Sequence, residues 1–198
     1  MKSFYEKNVF EEEDFNALRE IAFKDLSSEN IYFSEAYSRY YAITDFPENI
    51  KAKIVDLANK KFNTKDLDIV YTHAVKYQIV NGIKPSLKKH LDNLPSTHVI
   101  DLCVETTLPD WGLTVGDDFF QDDPNSAVFL YGKEDIHFRP DYTSEDENDY
   151  CIMFLINLAP PGHWGHKAAD SLKLMPEHLR QKMIDQLTPH HRKKDMNK

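Results

Sequence analysis

His90, Asp92 and His137 are residues of the types that bind transition metals. Two imidazoles and one carboxylate on one face of an iron(II) ion leave the opposite face open for a co-substrate and dioxygen. Side chains two apart in an extended chain point to the same side, so His90 and Asp92 can converge on one ion while Leu91 turns away. His137 would then arrive on another strand and complete the ligand set.

The His-Xaa-Asp triplet carries little information by itself. With 9 His and 20 Asp in 198 residues, chance alone supplies about one such triplet. The surrounding chain carries more, because a β-rich segment and an Asn81-Gly82 turn precede the triplet and apolar strand-like segments follow it. As an isolated pair the two residues would be interpreted as surface residues, whereas this context favours a metal site.

Two amphipathic helices are predicted before this region, at residues 11–26 and 47–62. The first opens with four acids, which suit a helix N-terminus, and the second has a proline in its first turn. Both carry apolar residues at helical spacing. The aromatic segment 32–41 between them is predicted to pack rather than to line a pocket, and residues 176–187 predict a closing helix.

A run of strands is predicted between the second helix and the closing helix. The first is long and rich in β-branched and aromatic residues. The predicted strands are residues 68–80, 97–107, 112–115, 126–131, 136–139 and 150–158. Short strands separated by Pro, Gly, Asp and Asn are typical of a sandwich or barrel, and helices segregated against such a sheet make an α+β domain. We expect a single domain over residues 1–198.

Composition excludes several classes of protein. The net charge of -9 argues against a surface for duplex nucleic acid, which requires clustered positive charge. No apolar run approaches the roughly 20 residues that span a bilayer, and no secretory leader is apparent, so no membrane partner and a cytoplasmic location are expected. Cys103 and Cys151 lie in apolar segments and are predicted to be buried, reduced thiols.

The segments around the triplet resemble the 2-oxoglutarate- and iron(II)-dependent dioxygenases, in particular the prolyl-4-hydroxylase-like group. Tyr77 to Gly82 is similar to the tyrosine strand and turn of that family, His90-Leu91-Asp92 to its metal motif, and Ile136 to Arg139 to its distal-histidine segment. The resemblance covers about residues 67–158. It implies a double-stranded β-helix, which is a jelly-roll or cupin-like barrel, with the two N-terminal helices packed on it and a C-terminal helix.

The resemblance also implies a ligand set and a co-substrate. His90, Asp92 and His137 would bind Fe(II), with 2-oxoglutarate as co-substrate. The implied activity is hydroxylation of a C–H bond in a peptidyl or small-molecule substrate, with decarboxylation of 2-oxoglutarate to succinate. The alternative is a non-catalytic jelly-roll binding or structural module that retains the metal site. His163 and His166 follow Pro160-Pro161-Gly162 and are interpreted as exposed loop residues.

The sequence departs from the family pattern at the 2-oxoglutarate anchor. The family usually has an Arg or Lys about ten residues after the distal histidine, but residues 145–149 are Glu-Asp-Glu-Asn-Asp. Arg139 would share the barrel face of His137, and its planar fork suits a carboxylate. The alternative for Arg139 is an ion pair with Asp135 or Asp141.

Two tyrosines are the further candidates for binding 2-oxoglutarate. Tyr77 lies in the predicted strand 68–80 and Tyr131 ends the predicted strand 126–131, and each carries a hydroxyl that can donate to a carboxylate. We therefore predict Arg139, Tyr77 and Tyr131 as the residues that bind the co-substrate.

Overall fold

The computed structural model describes residues 2–29, 31–92, 96–108 and 110–174. The helices of this part of the chain are α1 (Glu12–Leu26), α2 (Glu48–Lys61) and α3 (Trp164–Leu174). The strands are β1 (Phe4–Lys7), β2 (Tyr32–Ser34), β3 (Arg39–Thr44), β4 (Asp68–Gln78), β5 (Leu87–His90), β6 (His98–Thr106), β7 (Gly112–Val115), β8 (Asp118–Gln121), β9 (Ser126–Leu130), β10 (His137–Arg139) and β11 (Tyr150–Ala159). None of the helices described is long and apolar enough to cross a bilayer.

Two antiparallel sheets form the barrel. The large sheet has the order β1-β9-β6-β11-β4-β3-β2, and the small sheet has the order β5-β10-β7-β8. From β4 onwards, the chain crosses repeatedly between the sheets: β4, β6, β9 and β11 lie in the large one, and β5, the β7–β8 hairpin and β10 lie in the small one. This winding is a double-stranded β-helix, so the predicted jelly-roll architecture is confirmed.

The helices α1 and α2 pack on the outer face of the large sheet. Their amphipathic pattern explains this position, because each has one apolar stripe that must be buried. The stripes consist of Leu18 and Ala22 from α1 and Ile50, Ile54 and Ala58 from α2. On β6 the alternate residues Ile100, Leu102 and Val104 face them. Each fully buried Leu or Ile stabilises the fold by about 1.5–3 kcal/mol.

The space between the two sheets contains aromatic, sulfur-containing and charged side chains. Tyr77, Trp111, Cys103, Cys151 and Met153 belong to one buried cluster there. Both cysteines are free and buried, as predicted. Three charged residues, Asp101, Asp122 and Arg139, are also buried. A jelly-roll core with this polar content is a candidate site, because buried charges are retained only where they are paired or functional.

The structure differs from the sequence predictions in the segments that precede and follow the barrel strands β4 to β11. The aromatic segment 32–41 forms the β2–β3 hairpin, which extends the large sheet through pairing of β3 with β4. Tyr and Phe favour strands, and Ser38 makes the turn with a φ of 44°. The interpretation of His163 and His166 as loop residues was wrong for His166, because α3 begins at Trp164. The predicted helix at 176–187 lies outside the described residues.

Candidate metal centre

His90, Asp92 and His137 converge beside the small sheet. His90 and His137 are directly opposite each other in the β5–β10 pair, with ring centroids 4.3 Å apart. The Nε2 atoms of His90 and His137 lie 3.6 and 3.5 Å from the same oxygen, Asp92 Oδ1. One ligand atom from each residue lies within 4.8 Å of the other two. Two nitrogens and one oxygen at this spacing suit a single iron(II) ion.

Backbone carbonyls orient both imidazoles. The Nδ1 atom of His90 is 2.8 Å from Lys88 O, and that of His137 is 2.9 Å from Asp135 O. A carbonyl oxygen only accepts, so each Nδ1 carries the proton and donates. The Nε2 atoms of both rings can then bind a metal beside Asp92 Oδ1, and a ring whose other N–H donates to a carbonyl is how metal-binding histidines are normally held.

Asp92 is a charged carboxylate at neutral pH. Burial by itself raises the pKa of Asp92, but the interactions with the neighbouring His137 and His90 imidazoles outweigh burial and lower the pKa to about 2. Burial lowers the pKa of His137, and Asp92 more than offsets this effect, so that the pKa of His137 is raised. The Asp92 carboxylate and the His137 imidazole therefore favour each other's charged forms. Asp92 also provides the negative charge that a bound cation needs.

Gly132 fixes the position of Asp92, a role that the sequence analysis missed. The backbone N–H of Asp92 donates to Gly132 O at 2.7 Å. A Cβ on Gly132 would lie 2.0 Å from Asp92 Oδ2, which is far inside van der Waals contact. A glycine directly after an apolar strand segment is the only sequence signal, since such glycines often mark a close approach of another group.

Gly132→Ala is expected to lower the affinity for iron(II) about 10- to 100-fold, the range seen when groups that orient metal ligands are lost. The new methyl group displaces the Asp92 carboxylate. The backbone itself accepts alanine, because the φ of Gly132 lies outside the left-handed region that favours glycine. Anaerobic titration against a competing chelator measures the affinity. Thermal unfolding of the metal-free protein is the control for folding, and unchanged affinity would contradict the role assigned to Gly132.

Ser3 supports the segment that orients His137. Its backbone N–H and its hydroxyl donate to Asp135 Oδ2 at 2.9 and 2.5 Å. The Ser3 hydroxyl also accepts a hydrogen bond from the backbone N–H of Tyr131 at 3.0 Å. Because the Asp135 carbonyl binds His137 Nδ1, the residue preceding β1 is connected to the candidate site.

Arg139 points into the barrel, but two carboxylates bind it there. Its Nη2 donates to Asp101 Oδ2 at 2.9 Å, and its Nη1 donates to Asp122 Oδ2. Arg139 is only 2% exposed. Burial raises the pKa of Asp122 to about 6, even though Arg139 lowers it. Neither Asp135 nor Asp141, the partners considered from the sequence, forms an ion pair with Arg139 within the described residues.

The two tyrosines predicted to bind the co-substrate lie on different faces of the large sheet. Tyr77 is fully buried between the sheets, and its hydroxyl accepts a hydrogen bond from Arg39 Nη1 at 2.8 Å. Tyr131 lies on the helical side, with its ring 5.3 Å from that of Phe62 and 5.2 Å from that of His98. The structure therefore brings Tyr77, but not Tyr131, into the barrel interior.

Comparison with known proteins gives matches among solved structures. No family model and no curated protein matches the chain. The non-haem α-ketoglutarate-dependent epimerase SnoN from nogalamycin biosynthesis aligns with a TM-score of 0.65 at 9% identity, covering 80% of this chain and 77% of the epimerase. A 2OG-Fe(II) oxygenase family oxidoreductase from Burkholderia pseudomallei aligns with a TM-score of 0.60 at 8% identity (79% and 84% covered). A prolyl-4-hydroxylase from Pseudomonas putida aligns with a TM-score of 0.57 at 12% identity (78% and 91% covered).

The chain therefore has the fold of 2-oxoglutarate- and iron(II)-dependent oxygenases. This confirms, at the level of fold, the resemblance drawn from the sequence, including the prolyl hydroxylase group. At identities of 8–12% the similarity defines the barrel and its winding, and function must be argued from the site.

Proposed function

We propose that the protein is an Fe(II)- and 2-oxoglutarate-dependent dioxygenase that hydroxylates a C–H bond. The observation that carries the proposal is the His90–Asp92–His137 triad, in which both Nε2 atoms are directed to one carboxylate. The triad lies in a fold shared with solved oxygenases. Two histidines that backbone carbonyls hold in the metal-binding tautomer provide the ligand orientation that such an enzyme requires.

The donor set fits the metal that the proposal requires. His90, Asp92 and His137 would hold iron(II) from one side, and the open side would receive 2-oxoglutarate and dioxygen. When bound, iron(II) would supply the oxidation of the substrate C–H bond, coupled to decarboxylation of 2-oxoglutarate to succinate. The role of the chain is to hold the ligands in one orientation through the carbonyls of Lys88 and Asp135.

The barrel wall protects one of the ligands from water. Val115 pairs directly opposite His137, and His137 is only 3% exposed. Val115 belongs to an apolar cluster that includes Leu113, Val128 and Leu130. This cluster keeps bulk water away from the buried side of His137, which strengthens its electrostatic interaction with Asp92.

We propose a peptidyl or small-molecule substrate. Two of the similar structures support both possibilities, since one is an epimerase of nogalamycin biosynthesis and another is a prolyl-4-hydroxylase. Substrate choice on such a barrel resides in loops. The segment 141–149 is a mostly exposed acidic loop, so it favours a cationic or neutral substrate over a nucleic acid.

The test begins with anaerobic protein, iron(II) and 2-oxoglutarate. We expect a weak visible charge-transfer band from the chelate, and succinate production once oxygen is admitted. His137→Ala is the matched variant and should abolish the band, and a band that survives would show that His137 is not a ligand. Absence of both band and succinate, even with a substrate library, would refute the proposal. A band without succinate would favour the non-catalytic module.

A further inference from the structure

Two arginines approach the ring of Tyr77 inside the barrel. The guanidinium carbon of Arg39 lies 5.6 Å from the ring centroid, and that of Arg139 lies 5.4 Å from it. Arg39 is on β3 and pairs directly opposite Tyr77, so its side chain emerges on the same face of the sheet. The interior thus holds two cations at one tyrosine, and their charge environments differ.

Arg139 already has its counter-ions. Asp101 and Asp122 both bind its guanidinium, and Nη2 also lies 3.1 Å from Met153 Sδ. Binding a further carboxylate there would bring three negative groups around one cation. That arrangement is unfavourable in a buried site, where like charges repel strongly.

Arg39 has no counter-ion among the described residues. Its side-chain hydrogen bond is the one from Nη1 to the Tyr77 hydroxyl, and its Nε–H is buried without a partner. The ring of Tyr37 packs 4.7 Å from the guanidinium carbon. A half-buried cation with a buried, unused donor is costly unless a ligand provides the anion.

Tyr71 and Tyr77 lie on one face of β4, which is turned to the interior that also contains the candidate metal centre. The buried hydroxyl of Tyr71 has no partner in the described part of the chain. Burial raises the pKa of Tyr71, the Asp92 carboxylate raises it further, and Arg39 lowers it. Arg139, whose guanidinium carbon lies 5.4 Å from the centroid of the Tyr77 ring, is on the same strand as His137, so Arg39 faces the same interior as the candidate metal centre.

The inner face of β11 has no cationic side chain next to Tyr77. Cys151 lies directly opposite Tyr77 in the β4–β11 pair, and Met153 is the next inward residue on β11. Neither can neutralise a carboxylate. Together with the acidic residues at 145–149, this leaves Arg39 as the uncompensated cation at Tyr77 within the described chain.

We propose that the Arg39 guanidinium, together with the Tyr77 hydroxyl, binds the distal carboxylate of 2-oxoglutarate. This inference rests on the function proposed above and replaces Arg139, the sequence-based choice, with a residue from the β2–β3 hairpin. The planar fork of Arg39 offers its Nε–H and a terminal N–H to the two carboxylate oxygens, a geometry that arginine and carboxylates share. Arg139 is then a structural residue.

The test compares two ligands that differ only at the distal end. Binding of 2-oxoglutarate and of 2-oxopentanoate, which has the same chain length without the distal carboxylate, is measured by anaerobic calorimetry on the iron(II)-loaded full chain. We expect Arg39→Met to weaken 2-oxoglutarate binding about 100-fold and to leave 2-oxopentanoate within about threefold of wild type. Iron affinity should not change.

Three further variants complete the test. Arg39→Lys keeps the charge but loses the fork, so about tenfold weaker 2-oxoglutarate binding is expected. This variant carries the test if Arg39→Met does not fold. Tyr77→Phe should lose binding of 2-oxoglutarate more than of 2-oxopentanoate. Arg19→Met, at an exposed pair with Glu105, is the matched control and should bind both ligands normally.

The outcomes separate this inference from the proposed function. If wild-type protein shows no iron-dependent binding of 2-oxoglutarate, the proposed function fails and the inference fails with it. If wild type binds 2-oxoglutarate but Arg39→Met and Arg39→Lys bind it equally well, only the inference is overturned. An equal loss for both ligands would also overturn it, because that pattern indicates a structural role.

Discussion

Asp92→Asn is expected to abolish iron(II) binding at micromolar metal. The affinity for iron(II) should fall by more than about 100-fold, which exceeds the loss seen when a group that only orients a metal ligand is removed. The substitution keeps the size of the side chain but removes the only negative charge of the triad. The two imidazoles would then face an uncharged amide in place of the carboxylate that both Nε2 atoms approach. Chelator competition and the chelate band with 2-oxoglutarate both measure the loss.

The metal-free Asp92→Asn protein should remain folded, with an unfolding free energy within about 1 kcal/mol of wild type. Asp141→Asn is the matched control, since Asp141 is exposed and lies just after β10. This control should bind iron normally. Iron affinity within tenfold of wild type in Asp92→Asn would mean that the carboxylate is not a ligand.

Arg139→Met is expected to lower the free energy of unfolding of the metal-free protein by about 3–5 kcal/mol, the usual cost of removing one partner from a buried ion pair. The methionine would fill much of the space, but Asp101 and Asp122 would be left buried without their cation. Denaturant unfolding at neutral pH measures the effect. A loss below about 1 kcal/mol would indicate that the three charges contribute little to stability.

Two comparisons isolate the electrostatic part of this loss. Adding Asp101→Asn and Asp122→Asn to Arg139→Met should recover most of the stability, because none of the three charges of this buried cluster then remains. Lowering the pH should also reduce the deficit. A carboxyl group whose pKa is higher in the folded than in the unfolded state makes the folded protein less stable as pH rises through the folded pKa. The pKa of Asp122 is already raised to about 6 with Arg139 present.

The local patterns of the sequence predicted much of this fold. The helices predicted at 11–26 and 47–62 occupy Glu12–Leu26 and Glu48–Lys61, because helical periodicity is a property of neighbouring residues. The triad could be proposed because two of its members share a short motif. The hairpin β2–β3 was missed, since its strands are three and six residues long and alternate weakly.

The positions of Arg139 and Tyr131 could not be derived from local pattern. The ion pairs of Arg139 join residues 38 and 17 positions away, and such distant pairings depend on strand register. Every residue of β9 is buried, so the sequence does not reveal which alternate side chains face inward. Leu130 faces the small sheet, and alternation therefore turns Tyr131 to the helices.

The contact between Ser3 and Asp135 carries the influence of a residue remote in sequence to a candidate metal ligand. The two residues are 132 positions apart, and both the backbone N–H and the hydroxyl of Ser3 donate to the Asp135 carboxylate. The Asp135 carbonyl in turn binds His137 Nδ1. A change that displaces Ser3 would therefore disturb the orientation of the His137 imidazole without touching a ligand.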